Sequence, residues 1–223
     1  HPVPQEEINR ILLEEGSGNQ VVVRLKGGDP FLFGRGGEEL ELLARNGVPF
    51  EEVPGITSAI AAPAYAGIPV THRDFCSSLH IITGHRRAGE KLEIDFEALC
   101  RTKGTLVFLM GVSALPDICA GLLAAGMDGS TPAAVVERGT TPDQRRLSAT
   151  LKELPARVAA AEVRSPAVIV VGGVCALAEE FDWFGHLPLR GRQVVVTRPR
   201  ERAGTLTGRL RALGARVWEC PCI

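Results

Sequence analysis

Two rhythms alternate along the chain. Short aliphatic runs at 21–25, 49–53, 79–83, 105–110, 133–137, 167–171, 193–197 and 216–219 have the length and branched-residue content of strands. Stretches with a helical period lie between them. Pro4-Gln5-Glu6-Glu7 opens a helix with Ile8, Ile11 and Leu12 on one side and acidic residues where the helix dipole favours them. Leu40, Leu43 and Ala44 line a helix that stops at Asn46-Gly47. Further helices are expected over 95–102, from Pro116 to Gly126, over 154–163 and over 203–213. Residues 144–151 alternate enough for an edge strand. Strand, helix, strand in succession predicts βαβ units and an α/β fold. Residues 68–74 follow neither period and read as a crossover between two lobes, 1–71 and 72–187, each a mixed or mostly parallel sheet flanked by helices. From 188 the pattern starts again, as the βαβ opening of a further domain over 188–223.

The first strand runs into a loop rich in glycine, Lys26-Gly27-Gly28-Asp29-Pro30-Phe31-Leu32-Phe33-Gly34-Arg35-Gly36-Gly37. Gly27 and Gly28 remove every side chain where the strand stops, so a ligand can lie against bare backbone. Asp29 offers two acceptor oxygens at the same spot, and Pro30 keeps it out of the helical region. Taken alone, such a loop is also an ordinary tight turn. No Gly-x-x-x-x-Gly-Lys-Ser/Thr occurs, and Glu39 stands where a dinucleotide fingerprint beginning at Gly34 needs Gly or Ala, so neither nucleotide loop applies. Downstream, Pro54-Gly55-Ile56-Thr57-Ser58 turns into a small-residue helix that Thr57 or Ser58 can cap.

With 45% apolar residues over 223 positions the chain can bury a full core. No apolar run approaches a membrane span and no leader pattern opens the sequence, so a membrane partner is not expected and the cytoplasm is the default location. Six cysteines, Cys76, Cys100, Cys119, Cys175, Cys220 and Cys222, contain no Cys-x-x-Cys and read mostly as buried, reduced thiols. His72 and Cys76, four apart, are two candidates where a tetrahedral metal site needs four, so no metal is expected. The net charge of −1 hides an asymmetry: residues 188–223 hold eight of the 25 basic and two of the 26 acidic residues, a surplus of +6, against −7 for the rest.

Three long motifs occur in order: Arg24-Leu25-Lys26-Gly27-Gly28-Asp29-Pro30-Phe31-Leu32-Phe33-Gly34-Arg35-Gly36-Gly37-Glu38-Glu39, then Val53-Pro54-Gly55-Ile56-Thr57-Ser58, then Gly67-Ile68-Pro69-Val70-Thr71-His72-Arg73-Asp74. Together they resemble the uroporphyrinogen-III C-methyltransferases of the tetrapyrrole methylase family, over about residues 1–184. Residues 191–200, with Gly214-Ala215 and Cys220-Pro221-Cys222-Ile223, resemble the opening of uroporphyrinogen-III synthases.

The first resemblance implies S-adenosylmethionine as cofactor and uroporphyrinogen III as substrate, methylated at two carbons to precorrin-2 for sirohaem and cobalamins. The fused synthase would make that substrate. Cofactor contacts carried over from the family are Gly27, Gly28, Asp29, Leu32, Thr57, Ser58, Met110 and Gly139; Leu32 and Ser58 stand where relatives often have Ile and Ala. On residue type alone, Met110 is a core methionine and Gly139 a turn glycine. A substrate with eight carboxylates calls for cations: Arg35, His72 and Arg73 lie in the motifs, and His85-Arg86-Arg87 follows a strand. The Asp and Lys proposed in the family as proton acceptor and donor fall before His1, with its first strand, so no catalytic residue carries over. A homodimer with no nucleic-acid partner is the further expectation. Two rivals remain: a methylase of a later cobalamin precursor, and a binder that sequesters tetrapyrrole or cofactor without chemistry.

Overall fold

The computed structural model describes residues 3–18, 20–84 and 93–222, with backbone alone at 200–203. The chain divides into two compact units, His1–Thr57 and Ser58–Ile223.

The first unit holds two helices packed on each other, α1 (Gln5–Gly16) and α2 (Gly36–Arg45). Glu39 is its one buried carboxylate among the described residues. Lys26 Nζ approaches Glu39 Oε1 at 2.8 Å, Arg24 Nη2 at 3.2 Å and Gln5 Nε2 at 3.1 Å. These donors outweigh the burial that would otherwise raise its pKa, and the carboxyl sits below its ordinary range. The strands expected at 21–25 and 49–53 do not form. A strand needs a neighbour to take its N–H and C=O groups, and no described segment of this unit is paired with either run. The two-residue period survives in the contacts even so: Arg24 and Lys26 turn to Glu39 while Val21, Val23 and Leu25 are 93%, 80% and 85% exposed.

The second unit opens with α3 (Ser58–Tyr65) and continues through β1 (Leu79–Thr83), α4 (Phe96–Thr102), β2 (Thr105–Leu109), α5 (Leu115–Ala124), β3 (Pro132–Glu137), β4 (Arg145–Thr150), α6 (Leu154–Ala160) and β5 (Ala167–Val171). These strands form one sheet in the order β1-β2-β5-β3-β4, with β4 at an edge. The pair β1/β2 is parallel and the other pairings are antiparallel, so this sheet is mixed, with antiparallel pairs in the majority. β2, β3 and β5 are apolar almost throughout because both faces are covered. Leu106, Phe108, Val135 and Ile169 meet Leu115, Ile118 and Leu122 of α5 and Leu154 of α6 on one side; α3 packs on β2 and β5. Each such fully buried aliphatic or aromatic side chain contributes about 1.5–3 kcal/mol. The helix expected to reach 163 ends at Ala160, where Glu162 turns left-handed (φ 48°) and the N–H of Val163 bonds back to Val158.

The last segment pairs β6 (Gln193–Val196) in parallel with β7 (Arg216–Glu219), joined by α7 (Arg200–Ala212). Among the cysteines only Cys119 and Cys175 are buried, and burial pushes the Cys175 thiol up to about 12. Cys76 and Cys100 are half-buried and Cys220 and Cys222 exposed, which corrects the expectation that most are interior; the latter two lie past β7, where no described element covers them. His72 and Cys76 face each other across an isolated bridge in a turn, not along a helix.

Candidate functional site

In the first unit the glycine loop is organised around one carboxylate. Asp29 Oδ1 accepts the N–H groups of Phe31 (2.9 Å) and Leu32 (3.1 Å), and Oδ2 accepts that of Gly55 (3.1 Å). The loop is thereby stitched to the segment leading to Thr57. Gly28 adopts φ +88°, a region side chains rarely enter, and lies 3.6 Å from the Ile56 carbonyl, measured from where a Cβ would stand. A Cβ on Gly27 would meet no atom within 4 Å, so its face is open. Phe33 and Arg35 are also left-handed (φ 55° and 59°), and the N–H of Gly36 closes the loop on Pro30 O at 2.9 Å. Among the described residues of the first unit, the two left-handed non-glycine residues both lie in this loop.

In the second unit the expected residues gather near α3 and the ends of strands. Ser58 is exposed and begins α3. Met110 follows the last residue of β2, left-handed at φ 55° and 50% exposed, so the reading of a core methionine does not hold. Gly139 lies in the turn between β3 and β4, flanked by left-handed Arg138 and Thr140 (φ 48° and 69°). A Cβ on Gly139 would collide with the methyl group of Ala62 in α3. That close approach, which the sequence does not reveal, explains a glycine here.

The same turn is heavily braced. At its base the Glu137 carboxylate takes Arg145 Nε at 2.6 Å and the Arg164 N–H at 3.0 Å. Burial opposes ionisation of Glu137, but these donors prevail and its pKa is lowered. Gln144 Oε1 accepts the Thr140 N–H (2.8 Å), and Gln144 Nε2 donates to Tyr65 O at the end of α3 (2.9 Å). Arg146, 11% exposed, donates to Ala66 O (2.8 Å) and Ala178 O (2.6 Å).

Two residues escaped sequence reasoning. Gly84 and Gly111 follow the parallel strands β1 and β2, and a Cβ on Gly84 would stand 2.5 Å from Gly111 Cα. Bare backbone therefore meets bare backbone beside Met110, at the carboxyl ends of parallel strands where α/β folds bind ligands. Each glycine is isolated in the sequence, so only a marked strand end could have singled it out.

Of the cationic candidates, Arg35 is held by Glu38 (Nη2 to Oε2 2.5 Å, both exposed). His72 Nδ1 accepts the Asp74 N–H at 3.2 Å. Arg73 is exposed and has no ion-pair partner among the described residues. His85, Arg86 and Arg87 lie outside the described residues.

The model of the Tetrapyrrole (Corrin/Porphyrin) Methylases matches residues 1–155. A porphyrin biosynthesis protein HemD from Ruminiclostridium josui is 59% identical over 223 residues, all of this chain and 44% of that protein. A siroheme synthase from Pseudomonas putida (strain W619) is 50% identical over 184 residues, 82% of this chain and 39% of that protein. The chain thus spans less than half the length of these curated relatives. The crystal structure of a uroporphyrin-III C-methyl transferase from Thermus thermophilus complexed with S-adenyl homocysteine superimposes with a TM-score of 0.66 at 42% identity, covering 78% of this chain and 75% of that one. With a family match over more than half its length, and that mixed α/β architecture in common, the chain belongs to the tetrapyrrole methylases.

Proposed function

We propose that this chain carries the S-adenosylmethionine-dependent C-methylation of uroporphyrinogen III to precorrin-2. The observation that carries the reading is the 42% identity, over most of the chain, with a uroporphyrin-III C-methyl transferase whose structure holds S-adenyl homocysteine. The residues fit such a cofactor: Gly27 opens on free space, Gly28 holds a φ that side chains rarely enter, Gly139 holds backbone where a side chain would strike Ala62, and Met110 is half exposed on a strained strand end.

S-adenosylmethionine supplies an electrophilic methyl group and its own leaving group, which leaves the protein to position the reactants and exclude water. Gly27 and Gly28 offer bare backbone. Asp29 presents its remaining lone pairs in directions fixed by its three N–H partners. Thr57 and Ser58 add hydroxyl groups, Leu32 and Met110 apolar walls, and Gly139 close backbone approach. Arg73 and His72 receive substrate carboxylates; Arg35 does so by exchanging Glu38. In this reading residues 1–71 and 72–187 are the two lobes and 188–223 opens a uroporphyrinogen-III synthase domain, within a cytoplasmic homodimer.

The test is label transfer by the full-length protein from methyl-labelled S-adenosylmethionine to enzymatically made uroporphyrinogen III, beside later cobalamin precursors. Labelled precorrin-2 is expected. Transfer to a later precursor alone, or binding of tetrapyrrole without transfer, overturns the reading.

A further inference from the structure

We infer that Arg190 is a positioning residue for the cofactor: from the segment beyond the two lobes it fixes the 138–144 turn that sets Gly139 against α3. The cofactor role of that turn rests on the proposed function, whereas the clamp rests on geometry alone.

The Arg190 guanidinium donates to three carbonyls of the turn: Nη1 to Thr141 O (3.1 Å) and Pro142 O (2.5 Å), and Nη2 to Gln144 O (2.5 Å). These acceptors lie 46 to 49 residues earlier in the chain. The cation also stacks 4.7 Å above the ring of Phe184, which is buried and meets Tyr65 edge-on at 5.0 Å. Since Tyr65 O in turn holds Gln144, the circuit from guanidinium through Phe184 and Tyr65 returns to the same turn. Arg216 of β7 adds a second tie, an ion pair to Asp143.

Such a turn needs a clamp. The carbonyls of Pro142 and Gln144 lie outside the β3/β4 ladder and take no backbone N–H among the described residues, so water would otherwise hold them, and Thr141 O has the Gln144 N–H (3.0 Å) beside the guanidinium. A planar fork holds three carbonyls from two nitrogens in fixed directions, whereas a lysine ammonium is a single compact centre on a flexible stem and loses more freedom for each bond it forms. Gly139 already touches Ala62, so a small drift of the turn changes the space between Gly139 and α3. Segment 188–223 is thereby part of the working structure of the methylase lobe, not merely a tether beyond it.

The experiment uses the full-length protein with Arg190→Met and Arg190→Lys, reading amide hydrogen exchange at Thr140, Thr141, Asp143 and Gln144, S-adenosylhomocysteine affinity, and the KM for S-adenosylmethionine against kcat. Arg190→Met is expected to speed exchange at the turn and to weaken cofactor KM and Kd about tenfold, with kcat within roughly twofold. Arg190→Lys should recover only part of this, and the KM for uroporphyrinogen should not move. Should Arg190→Met fail to fold, Arg190→Lys makes the same comparison. Wild-type exchange in the variants, or a loosened turn with unchanged cofactor affinity, overturns the inference. A wild-type protein that neither binds S-adenosylhomocysteine nor methylates uroporphyrinogen overturns the proposed function instead, and exchange then still decides whether Arg190 holds the turn.

Discussion

Asp29 and Gly55 are 26 residues apart in the chain and 3.1 Å apart in space, with the Gly55 N–H donating to Asp29 Oδ2. One carboxylate so joins two motifs that the sequence presents as separate. The fit leaves no room for a side chain, because a Cβ on Gly55 would run into the Gly28 carbonyl.

Asp29→Ala removes two acceptor oxygens and the three charge-assisted hydrogen bonds they receive. It is expected to cost about 1–3 kcal/mol of stability and most of the S-adenosylhomocysteine affinity. Asp29→Asn keeps one oxygen and should fall between. Urea unfolding and calorimetry on the full-length protein give the answer, and an alanine variant that binds like wild type would remove Asp29 from the organisation of the loop.

Gly28→Val forces a branched residue into φ +88°, a strain of about 1–2 kcal/mol, and fills the volume proposed for the cofactor. Gly139→Val collides with Ala62. Both should abolish S-adenosylhomocysteine binding while the circular dichroism of the folded protein persists. Retained affinity in either folded variant would move the cofactor elsewhere.

Glu39→Gln should destabilise the first unit at neutral pH. The folded carboxyl lies below its ordinary value, because Lys26, Gln5 and Arg24 outweigh its burial. Its stabilisation is therefore present above the unfolded pKa of about 4.3 and lost as pH falls through the lower folded value. Denaturant titrations of wild type and variant should draw together as pH falls from the unfolded value through the lower folded one. A gap that stays constant into that range would show that the ionised carboxylate is not what stabilises this site.

Arg73→Ala should weaken uroporphyrinogen binding and leave cofactor affinity intact, with a defect that shrinks as salt rises. Arg35→Ala should have the smaller effect, since Glu38 already occupies that guanidinium. Equal loss of cofactor and substrate affinity in Arg73→Ala would mean that it does not hold a substrate carboxylate.

Within residues 58–223 most elements were legible because each apolar run carries its own period and finds a partner. Residues 79–83 and 167–171 are strands as read, and the weakly alternating 144–151 became β4 at the sheet edge. The runs at 21–25 and 49–53 read equally well as strands, yet no described segment pairs with either. A strand is a relation between two segments, and the apolar pattern of one cannot state whether the other is there. The same distinction divides the candidate site. Glycine pairs, a carboxylate and three ordered motifs marked the loop at 27–32 and the family, since backbone freedom and acceptor chemistry are properties of residue types. That Asp29 spends its oxygens on Phe31, Leu32 and Gly55, that Gly139 abuts Ala62, and that Arg190 grips a turn more than forty residues upstream are facts of distance in the folded chain. They arise only when packing brings remote groups within hydrogen-bond or van der Waals reach, and those forces act over a few ångströms of space regardless of separation along the sequence.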